Sequence, residues 1–468
     1  MKILIVAINQ EKFPSAVAPI GAASIVSILQ KFSHEVSFLD LCFSSNISRN
    51  LIKELKKTNP EIVGLSIRNL DNCSLVAKKT FYKIARTIIR TVKAHSNAEV
   101  IMGGGGVTVL PRELAEYLDV SYAFIGEGEE SLPAFLNSYE TGKDFGKIPG
   151  LLYRNHNTWR LNPPDFSGKL DDYPLYSYDR IDYKKYFDYG GFIGYQTKRG
   201  CPFKCIYCSY RTLEGPRLRL RSPRLCVDDM EQIVRETGLR DFFFTDGVFN
   251  WPVDHAVRIC EEIIKRDLKI RWIAYCNPPG LDHEVIRTFK ASGCVGIELG
   301  VDAVTDKMLI NMGKGFTRQD IQKAYRAFID EELPLAVFLL FGGPDETYED
   351  MVESQKSLME FGKANAVFAS LGIRIYPDAP IYNIALQEGV ITDRTNLLEP
   401  VFYISEKLGE GAMERLDTLA RREATWSTPT DWNSITVKSV QRILNRFRSI
   451  PNWKDIEAYG AHMRRKRC

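Results

Sequence analysis

Several features that would place this chain quickly are missing from it. No apolar run approaches the ~20 residues a membrane span requires. The apolar start, residues 2–8, is a strand's length and lacks the longer apolar region and small-residue cleavage site of a secretory signal. Surplus charge is almost absent: 62 basic side chains face 59 acidic ones, a net charge of +3. That balance argues for neither nucleic acid nor an acidic surface as a partner. The glycine run 103–106 is not followed by Gly-Lys-Ser/Thr, which excludes a P-loop. There is no short-period repeat and no low-complexity segment. Ten cysteines in a chain this long do not form a secreted disulfide pattern, and the grouped ones need a reducing compartment, so a cytoplasmic protein is expected. The basic end Arg464-Arg465-Lys466-Arg467 reads as a solvated tail.

With 468 residues, 44% of them hydrophobic, the chain can fill two or three domain cores. Its most specific stretch is Cys201-Pro-Phe-Lys-Cys205-Ile-Tyr-Cys208. Three thiolates at this spacing can ligate three irons of a [4Fe–4S] cube and leave the fourth iron open. A fourth ligand that would make a closed zinc site is not evident nearby. The apolar run 191–197 reads as a strand that ends at Lys198-Arg199-Gly200 and delivers the cysteines in the following loop.

Residues 1–142 alternate strand and helix patterns. Strands are expected at 2–8, 35–41, 62–68, 99–103 and 123–126, with helices at 18–32, 48–57 and 75–94. This is α/β patterning, a doubly wound flavodoxin-like sheet whose ligands sit at the carboxyl ends of the strands. Residues 143–190 show little periodicity and read as an ordered linker. Alternation resumes over 191–395, with strands expected at 191–197, 241–245, 270–275, 295–300, 335–341 and 366–375. Six strands predict an open (β/α)6 barrel with its chemistry at the strand ends. Residues 396–468 read as a C-terminal extension with a strand at 402–404, a helix at 437–447, and Trp426, Trp432 and Trp453 packed in or near it. Arg374 can reach a carboxylate by a bidentate contact. Cys226, Cys260, Cys276 and Cys294 are expected to be core residues, with Cys276, at a strand end, the one to test as a functional thiol.

In the cysteine loop and its setting the chain resembles the radical S-adenosylmethionine (SAM) superfamily. That resemblance implies that Cys201, Cys205 and Cys208 hold the cluster, that SAM chelates the fourth iron, and that Tyr207 lies beside the adenine. Asp246 and Gly247, where the family has a Gly-Gly-Glu-like segment, would hold the SAM amino group. Glu298 would contact ribose or amine, and Gly342 would line the adenine side. For Glu298 the rival reading is a rim carboxylate paired with a basic residue, and Arg374 could serve SAM or substrate. The half in front resembles the cobalamin-binding domain of cobalamin-dependent radical SAM enzymes. Ser66, Gly103 and Gly104 occupy the contacting places of that domain, with Gly105, Gly126 and Glu127 at the adjoining strand ends. The family's Asp-x-His-x-x-Gly is absent, because the loop after the first strand reads Asn9-Gln-Glu-Lys-Phe-Pro14.

The resemblance therefore implies cobalamin with no histidine below cobalt. Arg68 would stand there, where an always-charged guanidinium is a poor metal ligand; the alternative is a surface arginine capping the next helical region. The implied activity is methyl transfer from SAM, by way of methylcobalamin, to an unactivated centre of a small-molecule or peptide substrate. A flavodoxin or ferredoxin would be the electron donor. A cobalamin-dependent cyclase, rearrangement or oxidative enzyme is the rival, and a corrinoid and iron–sulfur sensor a remote one. A methylthiotransferase is disfavoured because the N-terminal half holds only Cys42 and Cys73.

Overall fold

The structure is a computed structural model, and it describes residues 1–142, 144–156, 158–432 and 450–455. The N-terminal sheet has the order β2-β1-β3-β4-β5-β6-β7. Strands β1 (Lys2–Ala7), β2 (Glu35–Asp40), β3 (Ile62–Ser66), β4 (Glu99–Gly103) and β5 (Tyr122–Phe124) run parallel, with Ser66 in register with Ala7 on one side and Gly103 on the other. Parallel strands need covered faces. Helices Ile20–Lys31 and Gly128–Thr141 pack on one another, as do Ile47–Thr58 and Lys83–His95. Helix Lys83–His95 begins well after residue 75, where periodicity placed its start: residues 70–81 instead form a turned segment closed by an Asp71–Thr80 bridge.

The stretch read as a linker is more ordered than its periodicity suggested. Strands β6 (Leu151–Asn155) and β7 (Thr158–Leu161) form an antiparallel hairpin that extends the sheet beyond β5. A helix, Tyr183–Asp188, follows, with the Asp182 side chain accepting from the Lys185 amide at its N-terminus. Each strand is at most five residues long, too short for alternation to stand out from a Tyr- and Pro-rich background.

The second sheet has the order β8-β11-β12-β13-β14-β15-β18. Its parallel strands are β8 (Ile193–Tyr195), β11 (Asp241–Phe244), β12 (Arg271–Cys276), β13 (Cys294–Asp302), β14 (Leu335–Phe341), β15 (Ala366–Leu371) and β18 (Trp426–Ser427), between which lie the short antiparallel pairs β9 (Lys198–Arg199) with β10 (Arg219–Leu220) and β16 (Ile373–Arg374) with β17 (Phe402–Tyr403). All six expected strands are present, and a seventh, β18, comes from the segment read as an extension. The helix expected at 437–447 and the basic terminus lie outside the described residues. One hydrophobic core runs through both domains, from Leu4 and Val63 to Ile297 and Leu416. No helix among the described residues is long and apolar enough to cross a membrane.

Candidate active site

The carboxyl ends of the two sheets face a common cavity of about 1770 Å³. Single small-molecule pockets commonly measure about 300–1,000 Å³, so this one has room for a large cofactor together with other ligands. Ser66, Arg68, Gly103, Gly104, Gly126 and Glu127 border it from the first domain. Thr245, Tyr275, Glu298, Phe338, Phe368 and Trp453 border it from the second. Gly105 lines it as well.

The glycine run after β4 is shaped by contact rather than by flexibility. A Cβ on Gly104, which sits at φ +105°, would lie 2.7 Å from the Ile67 carbonyl oxygen, and one on Gly105 would lie 3.0 Å from that of Arg68. Removing side chains there lets the segment after β3 close down on the start of helix Gly105–Val109. Arg68 is thereby delivered to the cavity. Its Nε donates to Asn69 Oδ1 at 3.0 Å, and no carboxylate pairs with it among the described residues. Burial pulls its pKa down from the ordinary value, opposed by Tyr275 and Tyr210 across the gap.

Glu127 lines the cavity with its charge already matched. Arg219 grips it in a bidentate pair, with Nη1 to Oε2 at 2.8 Å, and Arg199 stands 3.4 Å from it. Arg199 also donates to Glu129 at 2.6 Å. Burial alone would push Glu129 up, but Arg199 reverses the sign and holds it below its usual value. These pairs join the two domains along one wall of the cavity. Gly126 takes φ +76° and donates its amide to Thr108 Oγ1 at 3.0 Å.

The cysteine loop is braced from three sides. The Cys201 amide donates to the Gly215 carbonyl at 3.0 Å, and the Ile206 amide to Met312 at 3.1 Å. The Arg211 guanidinium donates to the Pro202 carbonyl at 3.3 Å. Gly313, at φ +68°, passes so close that a Cβ would sit 2.6 Å from the Lys204 carbonyl oxygen. The three thiols lie near enough in this loop for Cys205 to raise Cys201, and for Cys201 and Cys205 to raise Cys208. Burial pushes all three thiols up, Cys208 to about 12. Bound iron would supply the positive charge that turns them into ligating thiolates. Arg211 beside Cys201, and Lys314 beside Cys205 and Cys208, already act in that direction. The donor set fits an iron–sulfur cluster. Tyr207 donates its hydroxyl to Asp302, and Lys314 donates to the same carboxylate at 2.6 Å.

Two expected ligand contacts, those of Asp246 and Arg374, are corrected by the structure. Asp246 is fully buried, and its two oxygens accept from the Thr197 amide (2.7 Å) and hydroxyl (2.6 Å) and from the Lys198 amide (3.1 Å) and ammonium (3.0 Å). It ties β11 to the segment after β8 and has nothing left for the SAM amine. Gly342 turns its amide onto the buried Glu346 carboxylate. Arg374 is 5% exposed and donates to Asp71 Oδ2 at 2.9 Å and to the Ile375 and Leu397 carbonyls at 2.7 Å each, so it clamps the domains together instead of awaiting a carboxylate. Cys276, at 1% exposure, is a core residue. Gly247 stands against the ring of Tyr210, 3.0 Å from where its Cβ would be.

Two cavity residues, Glu214 and Thr245, were not among the expected site residues. Glu214, just past the cysteine loop, accepts from Gln196 Nε2 at 2.7 Å and is pushed by burial up to about 7. Thr245 Oγ1 is buried and has no hydrogen-bond partner among the described residues, although its residue borders the cavity. Both lie where β8 and β11 open toward Tyr210. An unspent hydroxyl and a near-neutral carboxyl there suit an amine- or hydroxyl-bearing ligand. Glu298 accepts from Trp453 Nε1 at 2.9 Å, and burial raises it to about 7.

Residues 7–136 match the model of the B12 binding domain, and residues 195–358 that of the radical SAM superfamily. The chain belongs to the proteins that place a B12 binding domain ahead of a radical SAM domain. Among relatives, it is 26% identical over 413 residues to an uncharacterized methyltransferase of Pyrococcus horikoshii, covering 86% of each chain. It is 25% identical to the tryptophan 2-C-methyltransferase of Streptomyces laurentii, covering 79% of this chain and 72% of that one. Its fold matches that of the radical SAM methyltransferase TsrM from Kitasatospora setae, solved with cobalamin and a [4Fe–4S] cluster, at a TM-score of 0.85, 24% identity and 99% coverage of both chains.

Proposed function

We propose that this protein is a cobalamin-dependent radical SAM methyltransferase, moving a methyl group from SAM to an unactivated centre of a small molecule or peptide held between its domains. The observation that carries this reading is the single cavity onto which the strand ends of both domains open. When bound, the cluster supplies the electron for SAM chemistry, and cobalamin carries the methyl group. Cys201, Cys205 and Cys208 would hold the cluster. Ser66 and Gly103–Gly105 would border the corrin, and Thr245 and Glu214 lie on the side of the cysteine loop where SAM belongs. A flavodoxin- or ferredoxin-type protein is the electron donor in this reading.

Arg68 is the residue of this chain that would tune the transfer. The loop after β1 offers no histidine, and among the described residues no carboxylate pairs with Arg68 where it borders the cavity. If cobalamin binds in this cavity, Arg68 would border it as a fixed positive charge that does not ligate a metal, so it would help to hold the cofactor without coordinating its cobalt. Anaerobically purified protein should therefore contain iron, sulfide and corrinoid, and product should gain the mass of one methylene unit. Corrinoid or cluster at trace level after reconstitution, or product of unchanged carbon count, would refute the reading. Arg68→Ala and Arg68→Lys should alter the corrinoid absorption spectrum and lower turnover at least about tenfold, as expected when one positioned charge is lost. An unchanged spectrum with unchanged turnover would remove Arg68 from the mechanism.

A further inference from the structure

An ion pair is held against the cysteine loop by two separate elements. Its acidic member, Asp302, ends β13, where the register with β14 shifts between Gly300 and Asp302. The Asp302 backbone is left-handed, at φ +60°, a conformation that Asp tolerates better than most side chains. A shift of this kind re-aims a side chain at a strand end, and here Tyr207 of the cysteine loop donates to the carboxylate it presents. The basic member arrives from a helix end. After helix Asp306–Asn311 the Gly313 amide donates to the Ile310 carbonyl at 3.0 Å and the Lys314 amide to the Leu309 carbonyl at 2.9 Å, the paired bonds of a Schellman motif. Gly313 supplies the left-handed residue of that motif, at φ +68°, and the turn delivers Lys314 to Asp302.

The side chain of Lys314 is 4% exposed and that of Asp302 14%. An ammonium has three N–H donors, and all three are engaged: Asp302 Oδ2 accepts at 2.6 Å, the Tyr207 hydroxyl at 3.2 Å and the Gly300 carbonyl at 3.2 Å. The ammonium also stands 5.7 Å from the ring centre of Tyr207 and 5.2 Å from that of Phe316. With its donors spent, Lys314 acts on its surroundings through its charge. Tyr207 lies between Cys205 and Cys208 in the chain, so that charge falls on the thiol loop. It pulls the Cys205 thiol down more than Asp302 pushes it up, and it lowers Cys208 as well. The loop therefore feels the ammonium more than the carboxylate.

We propose that this pair sets the reduction potential of the iron–sulfur cluster, with Lys314 making the cluster easier to reduce and Asp302 opposing it. This deepens the methyltransferase reading and rests on its assignment of the cluster to Cys201, Cys205 and Cys208. The step concerned is the uptake of one electron from the flavodoxin- or ferredoxin-type donor, with no bond made and no proton moved. Net charge is one of the quantities that fix the potential of such a cluster. Three thiolates make its surroundings anionic, and a fixed cation at the loop eases the entry of a further electron. Burial spares that cation most of the screening that salt imposes on exposed charges. At an effective dielectric constant of about 20, a unit charge several ångströms away shifts an equilibrium at least about tenfold.

The test uses the full chain reconstituted anaerobically with cluster and cobalamin. It reads the midpoint potential of the cluster by electron paramagnetic resonance, in the absence of SAM. Lys314→Met should make reduction at least about tenfold less favourable, a fall of about 59 mV or more for one electron. Asp302→Asn keeps an acceptor oxygen and removes the charge, so its potential should rise instead. A pair that only braced the loop would move both potentials the same way, or would lower iron and sulfide content and leave the potential of the loaded fraction unmoved. Either result overturns the proposal. Where Lys314→Met takes up no cluster, Asp302→Asn decides, a raised potential supporting the proposal and an unchanged one overturning it. Opposite shifts in a protein that takes up cluster but no corrinoid would leave the role of the pair standing and refute the methyltransferase reading. Unshifted potentials in a protein loaded with both would do the reverse.

Discussion

At Glu298 burial outweighs two hydrogen bonds. Donors from Trp453 and Tyr275 favour the carboxylate, yet desolvation raises the group to about 7 from an ordinary value of 4.5. The folded state therefore holds a proton that the unfolded chain has already lost. This contribution to stability is fully present below the unfolded value near 4.5 and is lost as pH rises toward 7. Glu298→Gln keeps an acceptor oxygen and cannot ionise, so it should grow more stable relative to wild type between pH 5 and pH 7.5. The gain should reach at most about 3 kcal/mol, measured by denaturant unfolding at each pH. Glu214 and Glu346, also raised to about 7, are present in both proteins and cancel. A difference that does not change with pH would mean Glu298 is already ionised at pH 5. The same residue marks what a sequence conveys at this scale. Polar and glycine residues at strand ends pointed to Ser66, Arg68, Gly103 and Glu298, and all four line the cavity. The rule failed at Asp246 and Arg374 because strand ends also need their own polar groups tied down, and one sequence does not show which carboxylate or guanidinium is already engaged. The indole of Trp453 was legible as an aromatic but not as a neighbour of Glu298, which lies 155 residues away.

The parallel strands were legible even where they are short, as at Tyr122–Phe124 and Ile193–Tyr195, whereas the antiparallel hairpin and the two-residue strands were not. The six barrel strands and the five parallel strands in front carry buried Val, Ile, Leu and Phe runs that periodicity finds. Strand β18 is two residues long, and its place beside β15 is fixed by tertiary packing alone. The hairpin β6–β7 breaks the strand–helix alternation that marks the parallel strands, so it too went unread. The cysteine loop was legible by spacing, but its support was not. Gly313 gave no signal in sequence, although its missing Cβ lets the segment after helix Asp306–Asn311 press against the loop. Gly313→Ala meets two penalties together, a left-handed backbone at φ +68° and a contact of 2.6 Å with a carbonyl oxygen. Roughly 1–3 kcal/mol of strain must be relieved by moving one segment or the other. Iron and sulfide per chain after reconstitution should fall several-fold while corrinoid content stays at the wild-type level. Equal loss of both would mean that the whole molecule, rather than this loop, had been destabilised.

At the scale of the whole molecule, charge joins the two domains at two separate places. At one, Arg199 and Arg219 of the barrel engage Glu127 and Glu129 of the first domain. At the other, Arg374 engages Asp71, with side-chain exposures of 4% and 0%. A buried pair of this kind can be near neutral for stability when intact, because desolvation offsets attraction, but removing one partner leaves an uncompensated charge. Arg374 makes its three hydrogen bonds to groups from Asp71 to Leu397, so the pair fixes where the first domain stands over the barrel mouth. Asp71→Ala should therefore cost about 3–5 kcal/mol and lower the calorimetric unfolding temperature. Because the strain falls between the domains, it should also divide one unfolding transition into two. Arg374→Met together with Asp71→Asn removes both charges and should recover most of that loss, since neither partner is then stranded. Recovery of stability without recovery of corrinoid binding would assign the pair to domain placement. A single variant indistinguishable from wild type would show that water reaches the pair and that its burial does not hold the domains together.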